Sequence, residues 1–198
     1  NNTARYFEYY FGKYPHIIRK NRNSVAIIHK GDSKDELQKL GEDIFQYYGL
    51  GCRNVSKIYL PVGYSTDTIF EAIYDYHSVT DNNKYANNYD YNKAVYLMGD
   101  HNLLDNGFLL LKEGQELSSP VGVLNYEFYE SIDSLKKLLV DQKNEIQCIV
   151  SSSNTPIETL DFGETQSPQL SDYADGVDTI EFLVCLLYTS DAADEFSC

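Results

Sequence analysis

The chain has 198 residues, of which 42% are hydrophobic and 23% charged, a composition typical of one globular domain or at most two small ones. Sixteen basic and 30 acidic residues give a net charge of −14, which argues against nucleic acid and an anionic membrane surface as partners. No apolar run approaches the roughly 20 residues of a membrane span. The first residues show neither an initiator Met nor an export pattern, so we expect a reducing, cytoplasmic setting and a chain that begins inside a longer protein.

Predicted helices and strands alternate along the chain. Aromatic residues at helical spacing predict a helix over residues 3–14, and Ser33 with Glu36 forms a capping box that opens a helix over residues 34–48. The Asn-, Asp- and Tyr-rich segment 81–90 is predicted to be a solvated loop. The remaining predictions are strands at 25–28, 57–60, 108–111, 121–129 and 145–150, and helices at 65–77, 91–99, 132–142 and 177–182. This alternation indicates an α/β fold with a mainly parallel sheet flanked by helices.

Residues 185–195 read CLLYTSDAADE, which resembles a translated reading frame of a sequencing-library adapter. We therefore expect residues 185–198 to be an adapter-derived tail, and Cys185 and Cys198 to carry no functional weight.

A cysteine flanked by glycines joins a predicted helix to a predicted strand in the segment YGLGCRNV, residues 48–55. Glycine lacks the Cβ that would block a substrate carbonyl from the Cys52 sulfur, and the neighbouring Arg53 cation would favour the reactive thiolate. Backbone N–H groups of such a turn can also hold an oxyanion. The same spacing is typical of a helix C-cap followed by a small buried cysteine, so the motif alone leaves both interpretations open. Cys148 lies in an apolar strand and is expected in the core.

Stretches along most of the chain point to one family. They are NNTARYF at 1–7, NSVA at 23–26, EDIF at 42–45, GLGCRNVSK at 49–57, NGFLL at 106–110, IQCIV at 146–150 and DYADGVDT at 172–179. With these, residues 1–183 resemble the C-terminal half of an acyl-CoA reductase of the bacterial bioluminescence type, in the aldehyde dehydrogenase superfamily. The resemblance implies an aldehyde-dehydrogenase-like catalytic domain over residues 1–184, with most of the N-terminal cofactor domain absent.

The resemblance also implies a reaction. Cys52 would take the acyl group of a long-chain acyl-CoA, and a hydride from NADPH or NADH would reduce the resulting thioester to a fatty aldehyde. Arg19 stands where hydrolytic members of the superfamily carry the glutamate that activates water, which is consistent with a reductase that protects its thioester. Since the cofactor would be bound mainly by the absent domain, the isolated chain is not expected to turn over.

Three further residues are candidates for cofactor binding by the same resemblance. Glu116 aligns with a superfamily glutamate that contacts the nicotinamide ribose, although Ser118-Ser119 replace the usual Phe-Gly; the alternative is a solvated carboxylate in a turn. Asn2 and Thr3 align just after a Gly-Ser turn that places cofactor phosphates at a helix N-terminus; the alternative is simple helix capping. No metal site is predicted, because the cysteines and histidines lack ligand spacing.

Two other functions remain open at this point. A cysteine-dependent acyltransferase or thioesterase would use the same nucleophile but would turn over without nicotinamide. A non-catalytic acidic binding module would use the aromatic residues near Tyr85 and Tyr89. By family analogy we also expect assembly of copies through this domain and a partner enzyme that supplies acyl groups.

Overall fold

The computed structural model describes residues 2–19, 21–99, 101–152 and 155–194, without the side chains of Asn2 and residues 188–194. The last four residues of the predicted tail, including Cys198, therefore lie outside the described residues. The chain divides into two compact units, a smaller one of residues 1–21 and 168–198 and a larger one of residues 22–167. The helices are α1 Asn2–Phe11, α2 Lys34–Phe45, α3 Asp67–Ala72, α4 Asn83–Met98, α5 Ile132–Asp141 and α6 Thr179–Asp194.

A six-stranded sheet forms the centre of the larger unit. Its strands are β1 Asn23–Ile27, β2 Val55–Pro61, β3 Leu103–Asp105, β4 Leu110–Glu113, β5 Val123–Tyr129 and β6 Ile146–Ser151. They lie in the order β3-β4-β5-β2-β1-β6, and every neighbouring pair is parallel except β3 with β4. The predicted α/β fold with a mainly parallel sheet is thus confirmed. The prediction omitted β3, a three-residue edge strand.

Apolar side chains cover both faces of this sheet, as parallel strands require. Because successive side chains of a strand point to opposite faces, Ala26 and Ile28 belong to one cluster and Val25 and Ile27 to the other. The first cluster includes residues of α2, α3 and α4, and the second includes residues of α5. Ser33 and Glu36 form the predicted capping box at the start of α2, with Ser33 N–H donating to Glu36 Oε2 at 2.8 Å.

The segment 81–90 was predicted to be a solvated loop, and this prediction is wrong, because α4 begins at residue 83. The Asn82 side chain caps the helix by accepting from the N–H groups of Lys84 at 2.9 Å and Tyr85 at 3.2 Å. Tyr85 and Tyr89, one helical turn apart, are buried, and their hydroxyls donate to Phe108 O at 2.9 Å and Asp105 Oδ1 at 2.5 Å. Tertiary packing of the tyrosines outweighs the turn preference of the surrounding Asn and Asp residues.

Other boundaries shift by a few residues. The strand predicted at 108–111 starts at Leu110, since the Asn106 side chain accepts from Phe108 and Leu109 N–H in a turn that precedes β4. The helix predicted at 65–77 is the short α3 followed by a 3-10 segment, Tyr74–Asp81.

The smaller unit contains α1, a 3-10 turn at Ala174–Gly176 and α6. Arg19 donates to Asp175 Oδ2 at 2.9 Å and to Ala174 O at 2.8 Å, which holds that turn in place. The aromatic residues that predicted α1 leave large fractions of their side chains in solvent; they are Tyr6, Phe7, Tyr10 and Phe11. Within the described part of the chain, no helix combines the length and apolar character needed to cross a membrane.

We expect Asn82→Ala to lower the free energy of unfolding by about 1 kcal/mol, because two N–H groups in the first turn of α4 lose their acceptor. Asn87→Ala is the matched control: this exposed residue lies inside the same helix, where alanine is the better helix former, so stability should rise by about 0.5 kcal/mol. Urea denaturation followed by circular dichroism measures both. Equal effects of the two substitutions would show that Asn82 does not cap the helix.

Candidate functional site

Cys52 is exposed and lies in a turn three residues before β2. The turn therefore stands at the amino-terminal edge of the parallel strands, where β1, β2 and β6 begin side by side. An exposed cysteine just before a strand meets the first requirement for a nucleophile, which is access for an electrophile.

The chain reaches this turn through a left-handed segment. The helix predicted to end at residue 48 ends at Phe45, and Tyr47, Tyr48 and Gly49 follow with φ of 52°, 61° and 71°. Glycine adopts this conformation without strain, but in each tyrosine it costs about 1–2 kcal/mol of conformational free energy. The helix prediction failed here because tertiary hydrogen bonds to the last carbonyls of α2 replace its final turn.

Asn54 makes those hydrogen bonds. Its buried side-chain amide donates to Asp43 O at 3.0 Å and to Gln46 O at 2.8 Å, while its Oδ1 accepts from Gly51 N–H at 2.9 Å. A Cβ on Gly51 would come within 3.0 Å of that oxygen. Gly51 thus gives the Asn54 side chain room to approach, whereas the sequence suggested room for a substrate.

A second loop packs against the turn. The buried Asp43 carboxylate accepts from Gly163 N–H at 2.7 Å and Thr165 N–H at 3.0 Å, and Arg53 Nε donates to Thr165 O. Burial raises the pKa of Asp43, and the two N–H groups oppose that rise. Arg53, expected to act on the Cys52 thiol, is directed by this hydrogen bond toward the 162–166 loop.

Two serine hydroxyls, the buried Ser24 and the half-buried Ser56, form hydrogen bonds where Cys52 meets the neighbouring strands. Ser24 Oγ donates to Cys52 O at 2.9 Å and accepts from Cys148 N–H at 3.2 Å. Ser56 Oγ lies 2.7 Å from Leu117 O and 3.4 Å from Ser24 O. These contacts place the Cys52 turn and the loop that carries Glu116 at the same edge of the sheet.

Glu116 lies in that loop, between β4 and β5, with 64% of its side chain exposed. Its own backbone N–H and the positive charge of Lys112, 3.4 Å away, hold the pKa of the carboxyl below its usual value. The group is therefore an accessible carboxylate near neutral pH, able to accept hydrogen bonds from a pair of hydroxyls.

The other candidates occupy different places. Thr3 is exposed in the first turn of α1, in the smaller unit, and the side chain of Asn2 lies outside the described residues. Cys148 is buried in β6 as expected, and burial raises the pKa of its thiol. Cys185 is exposed on α6.

Sequence analysis missed the residues that shape the turn: Ser24, Asp43, Asn54 and Thr165. No sequence pattern identifies them, because their hydrogen bonds join positions separated by as many as 124 residues. Buried polar side chains require partners, and only the tertiary structure shows which ones they find.

Comparison with solved structures shows an aldehyde-dehydrogenase-like fold. The chain is similar to the aldehyde dehydrogenase KauB from Pseudomonas aeruginosa, with 14% identity, a TM-score of 0.52, and coverage of 77% of this chain and 39% of that chain. It is also similar to an indole-3-acetaldehyde dehydrogenase in complex with NAD+, with 11% identity and a TM-score of 0.50. A mutant of the P. syringae indole-3-acetaldehyde dehydrogenase AldA, in complex with NAD+ and IAA, gives 9% identity and a TM-score of 0.51. Each of these two matches covers 76% of this chain and 38% of the other chain. The chain thus spans about two fifths of these proteins. No protein-family model and no curated protein matches it.

We expect Asn54→Asp to lower the free energy of unfolding by at least about 2 kcal/mol, because the carbonyls of Asp43 and Gln46 lose their donor and meet an oxygen instead. Asn87→Asp, the same substitution at an exposed position of α4, should change stability by less than about 0.5 kcal/mol. Denaturant unfolding measures both variants. A tolerated Asn54→Asp would contradict the hydrogen-bonding role given to Asn54.

Iodoacetamide should alkylate Cys52 at least about tenfold faster than Cys148 near pH 8, since Cys148 is buried and the pKa of its thiol is raised. Mass spectrometry of the cysteine-containing peptides over time gives each rate, with exposed Cys185 as the reference for an accessible thiol. Equal rates for Cys52 and Cys148 would mean that the Cys52 sulfur is not accessible as described.

Proposed function

We propose that this chain is the catalytic part of an NAD(P)H-dependent acyl-CoA reductase, which forms a fatty aldehyde from a long-chain acyl-CoA through a thioester on Cys52. The observation that carries this proposal is the exposed Cys52 in a hydrogen-bonded turn on an aldehyde-dehydrogenase-like fold. The sequence resemblance to acyl-CoA reductases supports the choice of substrate and of reaction direction within that fold.

The chemistry assigned to Cys52 is acyl transfer. Its thiolate sulfur forms a bond with the carbonyl carbon of acyl-CoA, and the bond from that carbon to the CoA sulfur breaks. Coenzyme A leaves as a thiolate and takes up a proton from solvent. The product is an acyl-enzyme thioester, which stores the acyl group without net oxidation or reduction.

A nicotinamide cofactor supplies, when bound, the hydride that reduces this thioester to an aldehyde and returns the Cys52 thiolate. The accessible Glu116 carboxylate fits a role in holding ribose hydroxyls, because it is ionised and its loop connects to the Cys52 turn through Ser56 and Ser24. Asn2 and Thr3 remain candidates for the phosphate end of the cofactor.

The surface that the non-catalytic alternative requires is not accessible to a ligand. It required Tyr85 and Tyr89 to be available to a ligand, but 3% and 6% of these residues are exposed, and both hydroxyls are hydrogen-bonded inside the protein. The acyltransferase or thioesterase alternative shares the first chemical step with the reductase and differs in what happens to the acyl group afterwards.

The wild-type chain should become labelled by radioactive palmitoyl-CoA through a hydroxylamine-sensitive bond, and Cys52→Ala should lose this label because its nucleophile is absent. Cys185→Ala is the matched control: it removes another exposed thiol and should label as the wild type does. Gel fluorography and peptide mass spectrometry measure the label and its position. Equal labelling of wild type and Cys52→Ala would refute Cys52 as the nucleophile.

The fate of the label separates the reductase from a thioesterase. We expect the acyl-enzyme to persist in buffer without reduced nicotinamide, since a reductase must keep water from its thioester. Steady release of free palmitate by the wild-type chain alone would favour the thioesterase and contradict the reductase.

A further inference from the structure

Ser24 sits where the ladders on both sides of β1 are irregular. Opposite it, β2 has the extra residue Ser56, because Ser24 pairs with Val55 while Val25 pairs with Lys57. On the other side, two residues of β6, Gln147 and Cys148, face the single residue Ser24. Bulges of this kind interrupt regular backbone pairing and re-aim the chain, and they are frequent beside active sites.

The Ser24 hydroxyl occupies the gap that the two bulges leave. It is fully buried, it donates to the carbonyl oxygen of Cys52 at 2.9 Å, and it accepts from the Cys148 N–H at 3.2 Å. A hydroxyl can donate and accept at once, which an alanine or a valine at this position cannot do. The same hydroxyl therefore satisfies a buried N–H of β6 and fixes the peptide plane that follows the Cys52 Cα.

Cys52, Arg53 and Asn54 are each held by a separate hydrogen bond. The Arg53 side chain is bound to Thr165 O, the Asn54 side chain to the end of α2, and the Cys52 backbone to Ser24. Since the Cys52 side chain is exposed, its position depends on its backbone, and the backbone contact comes from Ser24.

We propose that Ser24 is a positioning residue, whose buried hydroxyl fixes the Cys52 carbonyl against β6 and so holds the sulfur in the geometry needed for acyl transfer. The part that concerns acyl transfer rests on the proposed function. Ser24 touches neither substrate nor cofactor in this role; it acts through Cys52.

The test compares two reactions of the same sulfur in Ser24→Ala. Acyl transfer from palmitoyl-CoA needs a defined geometry and should slow by about 10- to 100-fold, whereas alkylation by iodoacetamide, a small electrophile, should change by less than about threefold. Ser151→Ala is the matched control, because it removes another buried serine hydroxyl, which hydrogen-bonds His29 Nε2 at 3.0 Å at the opposite end of β6. Both rates in that variant should stay within about threefold of the wild type. If Ser24→Ala lowers both rates equally, or neither, the positioning role is overturned.

Hydrogen exchange keeps this inference separate from the proposed function. If the wild-type chain is not acylated at all, the proposed function fails. The positioning role of Ser24 is then tested by the exchange rates of the Gly51 and Asn54 amides, which form hydrogen bonds within the turn. These two amides should exchange at least about tenfold faster in Ser24→Ala than in the wild type, and at the wild-type rate in Ser151→Ala. Unchanged exchange in Ser24→Ala would reject the anchor. If Ser24→Ala does not fold, the exchange rate of the Cys148 amide in the wild type is the test. Slow exchange supports the hydrogen bond from this amide to Ser24, and exchange at the rate of a free peptide overturns the proposal.

Discussion

The candidate site depends on how a polar turn enters a sheet that is buried on both faces. A turn at such an entrance brings backbone N–H and C=O groups out of water, and each of them needs a partner. Asn54 supplies three of these partnerships with one side chain, since it binds two carbonyls at the end of α2 and the N–H of Gly51. The left-handed conformation of Tyr47 and Tyr48 is tolerated because these hydrogen bonds fix both of its ends.

A buried lysine restrains the loop that carries Glu116, at the same edge of the sheet as the Cys52 turn. Lys57, in the middle of the sheet, binds Glu127 Oε2 at 2.5 Å and Gln115 O at 2.8 Å, with its ammonium 4.8 Å from the ring centre of Tyr59. A charge buried this deeply is tolerated only when paired and hydrogen-bonded. Because Gln115 precedes Glu116, the pairing of Lys57 restrains the loop that presents the candidate cofactor carboxylate. The candidate nucleophile and the candidate cofactor carboxylate are thus held by polar contacts to adjacent strands.

The sequence anticipated some features and misjudged others for identifiable reasons. The Ser33–Glu36 capping box and the alternation of strands with helices rest on contacts between near neighbours, and both are present. The helical segment containing Tyr85 and Tyr89 was misjudged because Asn and Asp compete with the helix backbone when exposed, while burial of the two tyrosines favours the helix. The end of α2 was misjudged because its carbonyls bond to Asn54, beyond the turn.

The sequence by itself determined the fold class, the order of most elements and the presence of one glycine-flanked cysteine before a strand. These follow from hydrophobic periodicity, capping and turn residues, which act over a few positions. Only the tertiary structure decided that Cys52 is exposed, that Gly51 makes room for Asn54, and that Ser24 joins Cys52 to β6. The two hydrogen bonds of Ser24 join residues 28 and 124 positions apart, and such pairings exist only once the strands have taken their order in the sheet.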